Sequence, residues 1–123
     1  MYTLEIKRIY QPIDQNDGFR ILVDRLWPRG IKKIDAEIDL WAKEITPSPQ
    51  LRKWFNHEAD KFEQFKQSYL IELNNNPYGL EFVSLCKQQL LQQNVTLLYA
   101  AKDPQYNHAL VLKQWLLPQL NEN

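Results

Sequence analysis

Residues 19–30 read FRILVDRLWPRG. Three consecutive apolar residues, Ile21, Leu22 and Val23, run straight into Asp24, Arg25, Trp27, Pro28, Arg29 and Gly30. A short apolar run with no polar alternation fits a strand covered on both faces, which is the habit of strands in parallel sheets. The run VTLLYAA at residues 95–101 has the same character and ends against Lys102, Asp103 and Pro104. Two such strands require helices to cover them, and this constrains the fold more than any other feature of the chain.

The intervening segments supply those helices. Ser48 is a good N-cap, and Pro49 then takes the first helical position, where its missing N–H costs nothing. Leu51 and Trp54 or Phe55 point inward from that helix. Phe62, Phe65, Tyr69 and Leu73 follow at spacings of three and four in a longer helix, closed by a run of asparagines and Pro77. Leu80, Val83 or Ser84, Cys86 or Lys87, and Leu90 or Leu91 make the next apolar face. Asp103 and Pro104 repeat the cap-and-proline device and predict a last helix through Leu110, Leu112 or Lys113, and Trp115, stopping near Pro118. YTLEIKRIY at the start alternates as a first strand should, with Leu4, Ile6 and Arg8 opposed to Glu5, Lys7 and Ile9. Residues 34–45 fit either a helix face or a short strand, and a strand over 38–43 is the preferred reading. The expected fold is α/β: one domain over residues 1–123, with a small, mainly parallel sheet flanked by helices in a Rossmann-like three-layer arrangement.

Composition bounds the function. A chain of 123 residues is long enough to bury a core without disulfides or metals, which become necessary mainly below about 40 residues. Fifteen basic and fifteen acidic residues give zero formal charge, so extended coating of nucleic acid is disfavoured. The single cysteine, Cys86, excludes an internal disulfide and a multi-cysteine zinc site. Charges interrupt every apolar run of the N-terminal MYTLEIKRIY, and no stretch approaches the roughly 20 apolar residues of a membrane span. A soluble, cytoplasmic protein is expected.

Parallel sheets bind ligands beyond the carboxyl ends of their strands. If the two apolar strands are parallel, Asp24, Arg25, Arg29, Lys102, Asp103, Asn107 and His108 share one rim. Arg25 and Arg29 offer forked donors to a carboxylate or phosphate. The opening turn of the last helix, near Asn107, adds free backbone N–H groups. Trp27 either stacks on a ligand or fills the core, and Gly30 permits a turn or a close backbone approach. The acidic and basic groups equally suit a structural ion-pair network, and Asp103 suits a cap. A second dense group, Lys43, Glu44, Ser48, Arg52 and Trp54, brings Lys43 and Glu44 to the same rim only if residues 38–43 are a parallel strand. Ser48 reads as a cap rather than a nucleophile, having no Gly-x-Ser-x-Gly elbow. His57 reads as a helix-boundary residue, and Cys86 as a buried structural thiol. With only three glycines there is no phosphate-cradling loop or dinucleotide fingerprint, and no His/Cys spacing supports a metal.

RILVDRLWPRG, DLWAKEITPSPQLRKWFNH and LLYAAKDPQYNHALVL, in that order, resemble the YeaO-like branch of domain-of-unknown-function family 488. The likeness runs from about Phe19 to Trp115. It implies membership of a family with no established activity. The broader family carries a cysteine and a glutamate after its last strand, then a Cys-His-Arg triplet. Here Tyr99 and Ala101 stand at the first pair, and Asn107, His108 and Ala109 at the triplet, so only the histidine matches. A thiol mechanism therefore does not carry over.

The expected function is binding of a small anionic ligand, a nucleotide or phosphorylated metabolite, in a polar pocket at the strand ends. Arg25, Trp27, Arg29, Lys43, Lys102, Asp103 and Asn107 would bind. Asp24 would orient an arginine or accept a proton, and His108, whose ordinary pKa near 6.5 suits the work, would act as acid or base if the site is catalytic. No cofactor or metal is assigned. The alternatives are a non-catalytic interaction module using an exposed Trp41–Phe55 stretch, and a nucleic-acid-associated protein.

Overall fold

In the computed structural model, which describes residues 2–121, the two continuous apolar runs become the two central strands of one sheet. The strands are β1 (Leu4–Arg8), β2 (Phe19–Leu22), β3 (Leu40–Trp41) and β4 (Val95–Tyr99). Their order is β1-β4-β2-β3, and every neighbouring pair is parallel. In β2 and β4, Ile21 pairs with Leu97 and Leu22 with Leu98, and all four are fully buried. Absence of polar alternation therefore has its expected cause: each strand is covered above and below.

The two covers differ. Ile21, Val23, Leu97 and Tyr99 face a large core built by α2 (Pro49–Phe55), α3 (Phe62–Asn75), α4 (Gly79–Leu90) and α5 (His108–Leu120). Phe62, Phe65, Tyr69 and Leu73, the residues spaced at three and four, form the buried face of α3. On the opposite face, Ile9, Leu22 and Leu98 lie under Trp27, Ile31, Ile38 and Trp41. The third layer is thus thin, a connection over residues 24–38 containing the single-turn α1 (Lys33–Ala36). No helix among the described residues is long and apolar enough to cross a membrane.

The β1–β2 connection crosses this thin face and is anchored by Asp17. Its carboxylate accepts from Lys7 Nζ at 3.0 Å and from Arg20 Nη1 at 2.6 Å, and its carbonyl accepts from the Thr96 hydroxyl at 2.7 Å. Burial alone would raise the Asp17 pKa; the Asp14 backbone N–H and the Lys7 and Arg20 cations outweigh it and hold the carboxyl below its ordinary value. Gly18 then turns the chain into β2 at φ 66°. A Cβ there would lie 2.1 Å from the Asn94 carbonyl oxygen, so both conformation and space demand glycine.

Several boundaries differ from the sequence reading. β2 stops at Leu22, although the Val23 N–H still donates to the Leu98 carbonyl at 3.0 Å. The ambiguous segment 34–45 splits into the end of α1, the two-residue β3 and a 3-10 turn at Lys43–Ile45. Leu80 does not join the core: it is 79% exposed, and Phe82, Val83 and Cys86 form the buried face of α4. The Asp103–Pro104 start is also overturned. α5 begins at His108, capped by Asn107, whose side chain accepts from the Leu110 N–H. Both Asp and Asn can cap; here Asp103 Oδ1 accepts from the N–H groups of Gln105 and Tyr106 and closes a turn, while Ala109, Val111, Leu112 and Leu116 form the buried face of the helix that follows Asn107. α5 also continues past the expected stop to Leu120 with Pro118 inside it. Ser48 and Pro49 start α2 as expected, with the Ser48 hydroxyl accepting from the Leu51 N–H.

Candidate functional site

Strand order dictates where the sheet can open. After β2 the chain passes onto the thin face, whereas after β4 it passes into α5 on the helical face. Neighbouring parallel strands whose exits diverge leave a crevice at their carboxyl ends, the usual ligand position in such sheets. A cavity of about 920 Å³ lies there, within the size range of small-molecule sites.

Its lining brings together both halves of the rim. Asp24, Arg25, Trp27 and Arg29 come from the β2 exit, and Lys102, Asp103, Asn107 and His108 from the β4 exit. Arg8 and Tyr10, at the end of β1, hold these halves in place. Arg8 Nε and Nη2 donate to the carbonyls of Ala101 and Ala100 at 2.9 and 3.1 Å, and the Tyr10 hydroxyl donates to the Arg29 carbonyl at 2.9 Å. Neither stood out in the sequence, since an arginine and a tyrosine ending an edge strand look like surface residues.

At the centre, Asp24 and His108 bridge the two exits. Asp24 Oδ2 accepts from the Ala100 N–H at 3.0 Å. His108 Nε2 sits 2.8 Å from the Val23 carbonyl oxygen and 3.0 Å from Asp24 Oδ1. Two acceptors around Nε2 require it to carry hydrogen, which leaves Nδ1 as the nitrogen open to another partner. The Val23 carbonyl takes the hydrogen bond; Asp24 Oδ1, buried, lies beside Nε2 without a hydrogen bond. Asp24 therefore orients a histidine and a backbone turn, not an arginine.

Arg25 instead donates from Nε and Nη2 to the Pro47 carbonyl at 3.3 and 3.2 Å, tying the rim to the start of α2. Arg29 and Lys102 are exposed. Three of the expected ligand-binding groups turn out to be committed to the protein itself. Asn107 is 1% exposed, and its amide is used at both ends, by the Leu110 N–H and the Asp103 carbonyl. Asp103 Oδ1 accepts from the N–H groups of Gln105 and Tyr106, closing a turn. Trp27 donates its indole N–H to the Ile31 carbonyl at 2.6 Å and packs edge-on against Trp41, with ring centres 5.2 Å apart.

Lys43 is not part of the cavity. β3 is parallel to β2 as required, but the chain leaves the sheet at Ala42 into the 3-10 turn, and Lys43 Nζ lies over the Trp41 ring, 3.9 Å from its centre. The aromatic residues of the Trp41–Phe55 stretch do not form one exposed surface. Phe55 is buried and stacks on Phe65 at 4.3 Å, and Trp41 donates to the Asp24 carbonyl at 2.7 Å; Trp54 alone of these three is exposed, at 38%. Conversely, Arg52, Lys53, Asn56 and His57 line the cavity and were not assigned to it from sequence.

The chemistry available is that of charge. Arg25, Arg29, Arg52, Lys53 and Lys102 all line the cavity, and none forms an ion pair with a carboxylate among the described residues. Ala101 contributes only a methyl group. The Thr46 hydroxyl is used, donating to the Lys43 carbonyl at 2.6 Å. The Cys86 thiol is buried in α4, outside the cavity lining, and burial pushes its pKa up to about 12.

Comparison with known proteins agrees with the pattern of segments. A family model described as the inactive DUF488-N3 subclade matches residues 3–123. The chain belongs to the DUF488 family. It is 51% identical to the uncharacterised protein YeaO of Escherichia coli over 115 residues, covering 93% of this chain and 96% of that protein. It is 36% identical to the uncharacterised protein Rv3073c of Mycobacterium tuberculosis over 113 residues, 92% of each. No solved structure matches. Within this DUF488 chain, the positions set against the broader family's cysteine and glutamate are Tyr99, buried in the helical core, and Ala101 in the cavity wall. Of the triplet positions, only His108 presents a titratable group.

Proposed function

We propose that this protein binds a small anionic molecule, a nucleotide or another phosphorylated metabolite, in the cavity beyond β2 and β4, and that it holds the ligand without transforming it. One observation carries the reading: five cations without carboxylate partners line one cavity of a chain whose formal charge is zero. With only Asp24 and Asp103 as carboxylates in the lining, the cavity carries a net positive charge, which attracts an anion. Arg29 and Lys102 reach the ligand directly, Arg25 supports the wall at Pro47, and His108 supplies a donor or acceptor through Nδ1. The absence of chemistry is supported by Ala101, by the remote, high-pKa thiol of Cys86 and by the description of the subclade as inactive. A cytoplasmic setting, where phosphorylated metabolites are abundant, belongs to the same proposal.

Calorimetric titration with AMP in low salt tests it. Binding should be measurable for the native protein, and Arg29→Ala should weaken it about tenfold, as loss of one charge-assisted contact of roughly 1.5 kcal/mol implies. Arg29→Ala is the clean variant because the Arg29 side chain supports no other part of the fold, whereas Arg25 bonds to Pro47. An unchanged affinity in Arg29→Ala, or no heat with AMP and with inorganic phosphate, removes the proposal.

A further inference from the structure

Helix α2 presents a face that neither the capping device at Ser48 nor the core requires. Pro49, Arg52, Lys53 and Asn56 recur at i, i+3, i+4 and i+7, which places them on one side of the helix, and all four line the cavity. The opposite side buries Phe55 and partly buries Leu51. The two charged residues are exposed and have no carboxylate partners among the described residues. The helix ends in two successive left-handed residues, Asn56 at φ 47° and His57 at φ 58°. Asparagine tolerates this at a helix end, but a second, non-glycine residue there is strained. The strained turn brings the His57 ring back beside Phe55, 6.2 Å between ring centres, and His57 joins the cavity wall.

The cavity therefore runs alongside α2. Arg25 marks one end, bonded to Pro47 just ahead of the helix, and His57 the other. Seven helical residues at 1.5 Å each make this wall about 10 Å long. Arg52 and Lys53 lie along it, and Arg29 and Lys102 belong to the two strand exits.

Building on the anion-binding reading, we propose that α2 is a second, independent binding wall, and that the ligand is an elongated polyphosphate, such as a nucleoside triphosphate, rather than a compact monoanion. A single phosphate is satisfied by the strand-exit cations; a chain of phosphates gives Arg52 and Lys53 their counter-charge, with the His57 ring beside them in the wall. The donors on α2 are side chains on a rigid helix, which suits a ligand whose charge is spread in a line.

The test compares AMP, ATP and inorganic tripolyphosphate by calorimetry, without divalent metal, on the native protein and on the double variant Arg52→Ala/Lys53→Ala. Both substituted residues are exposed, and thermal unfolding of the variant confirms that the fold is retained. ATP should bind at least tenfold more tightly than AMP to the native protein. The double variant should lose that advantage: its ATP affinity should fall at least tenfold further than its AMP affinity does. Tripolyphosphate binding as tightly as ATP identifies the phosphate chain as the recognised part; weaker binding that still exceeds AMP shows that the nucleoside also contributes. Equal AMP and ATP affinities, untouched by the double variant, overturn the role of α2 while leaving anion binding at the strand exits intact. Failure of all three probes to bind overturns both.

Discussion

Single residues at the two ends of β2 have opposite electrostatic settings. On the thin face, Asp17 is surrounded by compensation: Lys7, Arg20 and the Asp14 N–H all favour its charged form. In the cavity, Arg25, Arg29, Arg52, Lys53 and Lys102 form no ion pair with a carboxylate among the described residues, although Asp24 and Asp103 share the lining. Compensated charge builds the fold, whereas the unpaired cations of the cavity are open to water or to a ligand. Asp17 yields a prediction with a definite sign. Its folded pKa lies below the ordinary 3.8, so its contribution to stability is complete above that value and is lost as pH falls through the lower folded pKa. Urea unfolding at pH 5, 4 and 3 should show stability falling with pH. Asp17→Asn should be less stable at pH 5, and its stability should fall less between pH 5 and 3. An unaltered pH slope in the variant would place the acid sensitivity elsewhere. The same contrast explains what was hard to read from sequence: Asp17 and Asp24 are both acids flanking β2, and only the crossing of the chain shows that one is enclosed by cations while the other meets a histidine.

At the level of elements, the sequence was most legible where patterning and packing agree. Continuous apolar runs located β2 and β4, the three-and-four spacing of Phe62 to Leu73 located α3, and Ser48–Pro49 located the start of α2. It was least legible where two local devices compete. Asp103–Pro104 is as good a helix start as Asn107 by local rules, and β3 holds only two residues, too few to show a period. The α5 cap positions His108, so its identity has a consequence. Asn107→Ala should lower stability by about 1–2 kcal/mol, the usual loss for a cap, and Asn107→Asp should recover most of it. Asp103→Ala should cost less than Asn107→Ala, since it closes a turn and not the helix. Thermal unfolding of the three variants decides; a larger loss at Asp103 would return the helix start to that position.

Over the whole molecule, the fold separates support from function by face. The helical core and the thin cover of Trp27, Ile31, Ile38 and Trp41 hold β2 and β4 between them, and their diverging exits open the cavity. The strand-exit half of its wall was visible in the sequence as two charged segments following apolar strands. The α2 half was not: Arg52 stood in a second polar group, His57 read as a helix-boundary residue, and Lys53 carried no signal of its own until the cavity is seen beside them. Family membership supplies no ligand, which leaves the cavity itself to be tested. Amide chemical-shift mapping of the labelled protein during titration with AMP, in low salt, tests anion binding there most directly. The expected result is saturable shifts concentrated at residues 24–29 and 100–108. Shifts absent throughout, or scattered over surface lysines without saturation, would contradict it.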